Sequence, residues 1–100
     1  MPHIQNAQIE DASIEIEGHG ILSSMIHLNY GGSAQGFGGY SLERDGLSSW
    51  VRNMFRVTGV DNWSALKGKN VRVEQDRPFG KILRIGHFMK DEWFNPAEDL

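Results

Sequence analysis

Only one stretch of this chain carries apolar residues at a helical period, and that restricts the fold more than any other feature. Leu47, Trp50, Val51, Met54, Phe55 and Thr58 fall at i, i+3, i+4, i+7, i+8 and i+11, the spacing of one stripe on an α-helix. The spacing predicts a helix over residues 46–58. Asp45 stands where an N-cap carboxylate accepts from the free amides of a first turn. Gly59 stands where a left-handed C-cap costs glycine little. Arg52 and Arg56, four residues apart, share the outward face.

On either side of this helix the period is two. Ala12, Ile14 and Ile16 alternate with Ser13, Glu15 and Glu17, as in a half-buried strand. Residues 4–10 extend that strand, offset by a bulge or turn near Asp11. Gly18-His19-Gly20 is a turn signal. Ile26, Leu28 and Tyr30 form a second strand. Gly31-Gly32-Ser33 reads as a hairpin turn into a glycine-rich strand from Gln35 to Glu43. Residues 61–68 hold one further helical turn between a cap and a glycine stop. Val71-Arg72-Val73-Glu74 alternates as a strand, Asp76-Arg77-Pro78-Phe79-Gly80 turns the chain, and residues 82–88 return. The tail from Met89 is expected to be extended and packed down through Trp93 and Phe94. The class is α+β, a mostly antiparallel β-sheet packed by one main α-helix, in a single domain over residues 1–100. The expected core comprises Ile14, Ile16, Ile26, Leu28, Trp50, Val51, Met54, Phe55, Val71, Val73, Ile82 and either Leu83 or Ile85.

Composition narrows the function classes. With 100 residues, 39% of them hydrophobic and 23% charged, the chain has the make-up of a globular domain. Its apolar runs nowhere exceed a few residues, too short to span a bilayer, so no membrane association is expected. The opening Met1-Pro2-His3-Ile4 lacks the basic start and apolar stretch of a signal peptide. Together with the absence of cysteine, which excludes disulfides, thiolate zinc sites and a thiol nucleophile, this sets the expectation of a cytoplasmic protein. Charge is blocked along the chain. Residues 1–43 carry Glu10, Asp11, Glu15, Glu17 and Glu43 and no Lys or Arg, residues 44–90 carry all ten basic residues, and the tail adds Asp91, Glu92, Glu98 and Asp99. Such blocks suit either a solvated surface or a dipolar one facing charged partners. The net charge of −3 and pI near 5.7 argue against general duplex DNA binding.

The most unusual stretch is Tyr30 to Tyr40, in which five of eleven residues are glycine. It is not a phosphate-binding P-loop, for no Gly-Lys-Ser/Thr follows. Nor is it a dinucleotide fingerprint, for the third glycine is replaced at Ser41. Two readings stand. The glycines leave a trough edged by Tyr30, Gln35, Phe37 and Tyr40 that accepts a flat ligand by stacking, or they let the helix approach the sheet with Trp50 filling the gap. An anionic ligand in the trough would be met by Arg52, Arg72 and Arg84, whose guanidinium forks pair with phosphate.

Other chemistry is sparse. His3, His19, His27 and His87 show no metal-ligand spacing, although His27 and His87 lie on predicted strands and would meet if those strands were neighbours. Paired carboxylates such as Glu10-Asp11 are adjacent in sequence, which does not aim them at one site, and no nucleophile elbow is present. No cofactor or metal is expected. Trp50 belongs to the core and Trp63 staples the short turn. Trp93 is either core or an exposed anchor for a partner.

Several runs also resemble those of a family of small phage- and prophage-encoded proteins. These are His27-Leu28-Asn29-Tyr30-Gly31-Gly32, Gln35-Gly36-Phe37-Gly38-Gly39-Tyr40, Trp63 through Lys69, and Ile85-Gly86-His87-Phe88 with Trp93-Phe94-Asn95-Pro96. The likeness covers residues 4–100, and its most specific part is the YGGxxQGFGGY-type run. Here the connection from that run to the helix is shorter than in the family, which separates this chain from any function of that loop. The resemblance implies an accessory protein in the bacterial host cytoplasm and supplies no catalytic residues. Such proteins often act by stoichiometric binding, including inhibition of host defence. The expectation is a non-enzymatic binding protein, occluding a host protein or sequestering a nucleotide-like signal. The alternatives are a small nucleotide-acting enzyme, with His27 or His87 as base, and a structural or DNA-metabolism accessory. A homo-oligomer is compatible with any of these.

Overall fold

The computed structural model describes residues 3–43, 45–78 and 80–100. Period-two alternation becomes a six-stranded antiparallel sheet: β1 (His3–Ile16), β2 (Leu22–Tyr30), β3 (Ser33–Gly38), β4 (Asn70–Gln75), β5 (Ile82–His87) and β6 (Trp93–Phe94). The strand order is β3-β2-β1-β4-β5-β6. The helical stripe becomes α1 (Gly46–Thr58), the bounds the spacing predicts. A 3-10 turn at Trp63–Leu66 follows, its first amides met by Asn62, whose Oδ1 accepts from the Ala65 N–H at 3.1 Å. The tail is not simply extended. After β6, Asn95 caps a single helical turn, α2 (Pro96–Asp99).

Local chemistry sets the joints. Gly31 and Gly32 both have positive φ, 56° and 82°, as a two-residue hairpin matched to the strand twist requires, and Tyr30 pairs with Ser33 across it. The β1–β2 register slips between Ile9 and Asp11. That bulge sits where the sequence places it, and it keeps Ile9 and Ala12 on one face, opposite Leu28 and Ile26. Gly59 ends α1 in the left-handed region, its N–H donating to Phe55 O at 2.8 Å. Asp45 stands at the N-cap, but its carboxylate caps nothing. Its backbone is already helical, which turns the side chain from the first turn. The first amides instead donate to the carbonyls of Glu43 and Leu42, each at 3.1 Å.

One face of the sheet carries the core. Ala7 and Ile9, Ile26 and Leu28, Phe37, Val71 and Val73, Ile85 and Phe94 are buried there against Trp50, Met54 and Val57 of α1. Val57 takes the inward position expected of Val51 and Phe55, which are only half-buried. Ile85 is buried, whereas Leu83, beside a register shift in the β4–β5 ladder, is exposed. Ile14 and Ile16 correct the expected core more sharply, being 40% and 64% exposed. They share the face of Ile9 and Ala12, but β4 pairs with β1 only from His3 to Gln8, so the far end of β1 runs past its cover. Phe79, in the predicted turn, lies outside the described residues, as do Met1, Pro2 and Arg44. Among the described residues no helix is long and apolar enough to cross a membrane.

Candidate functional site

The glycine-rich stretch forms no trough. β3 turns Gln35 and Phe37 toward the helix layer and Gly36 and Gly38 away from it. Phe37, 2% exposed, stacks on Trp50 with ring centres 5.4 Å apart and meets Phe94 edge-on at 6.0 Å. Tyr40 is half-buried against the same indole. Neither ring edges an open cleft, because the core needs aromatic area to fill the gap between sheet and helix.

Tyr30 and Gln35 do come together, inside a closed polar network. The Tyr30 hydroxyl donates to Gln35 Oε1. Gln35 Nε2 donates to Gly80 O at 3.0 Å. The buried Gln75 donates to the Tyr30 hydroxyl, Gly80 O and Gln35 Oε1, and accepts from Gln5 at 2.8 Å. Buried polar groups persist where each has a partner. This network fastens β3 to the β4–β5 turn and leaves little of Tyr30 or Gln35 for a ligand.

Nor do the glycines admit the helix. A side chain at Gly36 would lie 2.7 Å from the Met25 sulfur, and one at Gly38 would lie 2.3 Å from Ser24 O. Both contacts are with β2, on the helix-free face or in the backbone itself. The glycines therefore let β2 press on β3 rather than α1 on the sheet.

The helix-free face is where other predicted residues converge. The register sets two rows across it: Ile4, Glu74 and Arg84, then Asn6, Arg72, Gly86 and Trp93. The guanidinium carbons of Arg72 and Arg84 lie 4.9 and 4.2 Å from the centre of the Trp93 ring, within cation–π range. The indole also lies on Gly86, where any Cβ would come within 2.6 Å of it. Trp93 Nε1 donates to Asp91 Oδ1 at 2.9 Å, and Arg56 donates to the Trp93 carbonyl at 2.8 Å. Arg52 points outward on α1, the opposite side of the sheet, and does not join the cluster.

The two arginines are already engaged. Arg84 makes a bidentate pair with Glu74, both bonds at 3.0 Å. Arg72 donates to His87 O at 2.9 Å and Lys90 O at 2.6 Å. Beside them a depression of about 330 Å³ is lined by Glu74, Arg84, Trp93, Asn95, Glu98 and Asp99. Its three carboxylates against one guanidinium suit a cation better than the anion that sequence reasoning assigned to these arginines. Sequence reasoning also missed Glu74 and Gly86. A lone glycine in an alternating strand is a signal for close approach, but nothing local says which ring will cover it.

The histidines do not meet. His27 and His87 lie on opposite faces, on strands separated by β1 and β4. His87 Nδ1 accepts from the Met89 and Lys90 N–H groups, both at 3.0 Å, which commits that nitrogen to closing a turn. Among the described residues no group of three or more His, Asp or Glu side chains is arranged to hold a metal ion. Comparison with protein-family models, curated proteins and solved structures finds no significant match.

Proposed function

We propose that this chain is a non-enzymatic binding protein of the phage accessory type, acting by occluding a host protein as an anti-defence inhibitor. One observation carries the binding part of the reading, the phage and anti-defence part resting on the sequence resemblance: a half-buried tryptophan on the polar, helix-free face, with Arg72 and Arg84 against its ring and an acidic depression beside it. Trp and Arg dominate the energetics of protein contacts, and carboxylates beside an indole suit a Lys or Arg of the partner. The nucleotide-sequestering version has less support, because Phe37 and Tyr30 are committed to the core and both arginine forks are paired.

The test is affinity purification of the tagged chain from phage-infected cells, with mass spectrometry of proteins and small molecules. It is run beside Trp93→Ala, whose fold is checked by circular dichroism. A host protein in stoichiometric amount with the native chain, and depleted with Trp93→Ala, is expected. Heat on titration with cyclic or ADP-ribose-type nucleotides would move the reading to signal sequestration. Turnover of such a nucleotide would make the chain an enzyme, and a partner retained by Trp93→Ala would move the contact elsewhere.

A further inference from the structure

The end of β1 is a sheet edge with no strand on it among the described residues. Past Gln8 no strand among the described residues pairs with β1 on the β4 side. The 68–69 loop takes both backbone groups of Ile9, at 2.7 and 2.9 Å, and Trp63 Nε1 donates to Ala12 O at 3.1 Å. There the cover stops.

Beyond it, the backbone of Ile14 and Ile16 faces open space, and the partner strand shows why. In an antiparallel ladder alternate pairs turn their N–H and C=O groups away from each other. Ile14 pairs with Ser24, whose carbonyl accepts from Gly39 N at 2.8 Å, on the far side of β2. Ile16 pairs with Leu22, whose N–H and C=O are both taken by Glu43 and Leu42, again on the far side. The matching groups of Ile14 and Ile16 therefore point outward along the free edge. Their side chains are 40% and 64% exposed on the helix side, with Glu15 between them on the other face.

Proteins blunt such edges with lysine, proline or a covering loop. None of these protects residues 13–16. A second copy pairing antiparallel across Ile14 would set Asp11 against Glu17, and the whole run is acidic. Like charges facing each other in a ladder are destabilising.

We infer that the free edge of β1 at Ile14–Ile16 adds a strand from a partner: an extended segment alternating apolar residues with Lys or Arg. Its backbone would complete the ladder at Ile14 and Ile16, its apolar side chains would cover both isoleucines, and its cations would meet Glu15 and Glu17. This site is independent of the Trp93 surface.

The test is fluorescence anisotropy with a labelled peptide alternating lysine and valine, a glutamate–valine analogue, and a lysine–valine peptide N-methylated on its valine amides, which in an antiparallel pairing are the ones that donate to Ile14 and Ile16. The native chain should bind only the unmethylated lysine–valine peptide. Ile14→Pro removes the outward N–H at a position where an edge strand tolerates proline, and should weaken binding by roughly tenfold or more. Glu15→Lys should transfer the preference to the glutamate–valine peptide. Equal binding of the N-methylated peptide, or no binding at all, would overturn the inference, and both readings use the native chain even if Ile14→Pro fails to fold. Light scattering that shows a dimer of the native chain and a monomer of Ile14→Pro would assign the edge to self-pairing instead.

Discussion

Trp50 shows how much one residue can carry while leaving a group unmet. It is fully buried and touches Phe37, Tyr40 and Phe94, with ring centres 5.3 to 6.0 Å away, yet among the described residues its indole N–H has no hydrogen-bond partner. An unpaired buried donor costs about 1–3 kcal/mol. Trp50→Phe keeps most of the aromatic contact and removes that donor, so chemical denaturation should show a loss of under about 2 kcal/mol. Trp50→Ala removes the centre of the cluster and should cost about 3–5 kcal/mol. Equal losses for both variants would mean that the indole N–H does have a partner in solution. Gln75 is the counter-case, buried with both ends of its amide bonded, and so a polar group the fold can afford to bury.

At the scale of elements, α1 is held by its ends in unequal ways. Gly59 is left-handed with open space around it, so Gly59→Ala meets only the backbone penalty, about 1–2 kcal/mol. Asp45→Ala should cost little by comparison, because the first amides are met by Glu43 and Leu42 carbonyls and not by its carboxylate. Urea titration of the two variants checks this; a larger loss at Asp45 would place its carboxylate on the first turn after all. The two-residue β6 depends on a contact instead. Trp93 lies on Gly86, and Gly86→Ala would drive a methyl into the ring. The expected result is a shift of tryptophan emission and faster amide exchange at residues 93–94, with α1 still protected.

Across the whole molecule, the sheet outruns its cover. Met54 is fully buried on the inner side of α1, against the sheet, whereas Ile16 stands at the uncovered end of β1. Met54→Ala should therefore cost about 2–5 kcal/mol, while Ile16→Thr should change stability by about half a kcal/mol or less. Denaturation midpoints of the two variants measure the difference directly. A loss at Ile16 comparable to that at Met54 would mean that the end of β1 is covered in solution, as self-association would do.

Local signals fixed local things. The apolar stripe and its glycine stop set the bounds of α1, Gly31-Gly32 set the hairpin, and the break in alternation before Ala12 set the bulge, because period and turn chemistry act within a few residues of chain. The same alternation named the face of Ile14 and Ile16 but not their burial, and it placed Phe37 on a face without saying that the face was full. Burial depends on which distant elements overlie a strand, and here that follows from β4 stopping at the level of Gln8 and α1 lying over Phe37. The candidate site divides the same way. Arg72, Arg84 and Trp93 are visible one by one in the sequence. Their meeting, and the loss of both guanidinium forks to Glu74, His87 and Lys90, required β4, β5 and β6 to lie side by side. Sequence determined the elements and their faces; only the strand order, which brings residues far apart in the chain within hydrogen-bond reach, decided which side chains were left free to bind.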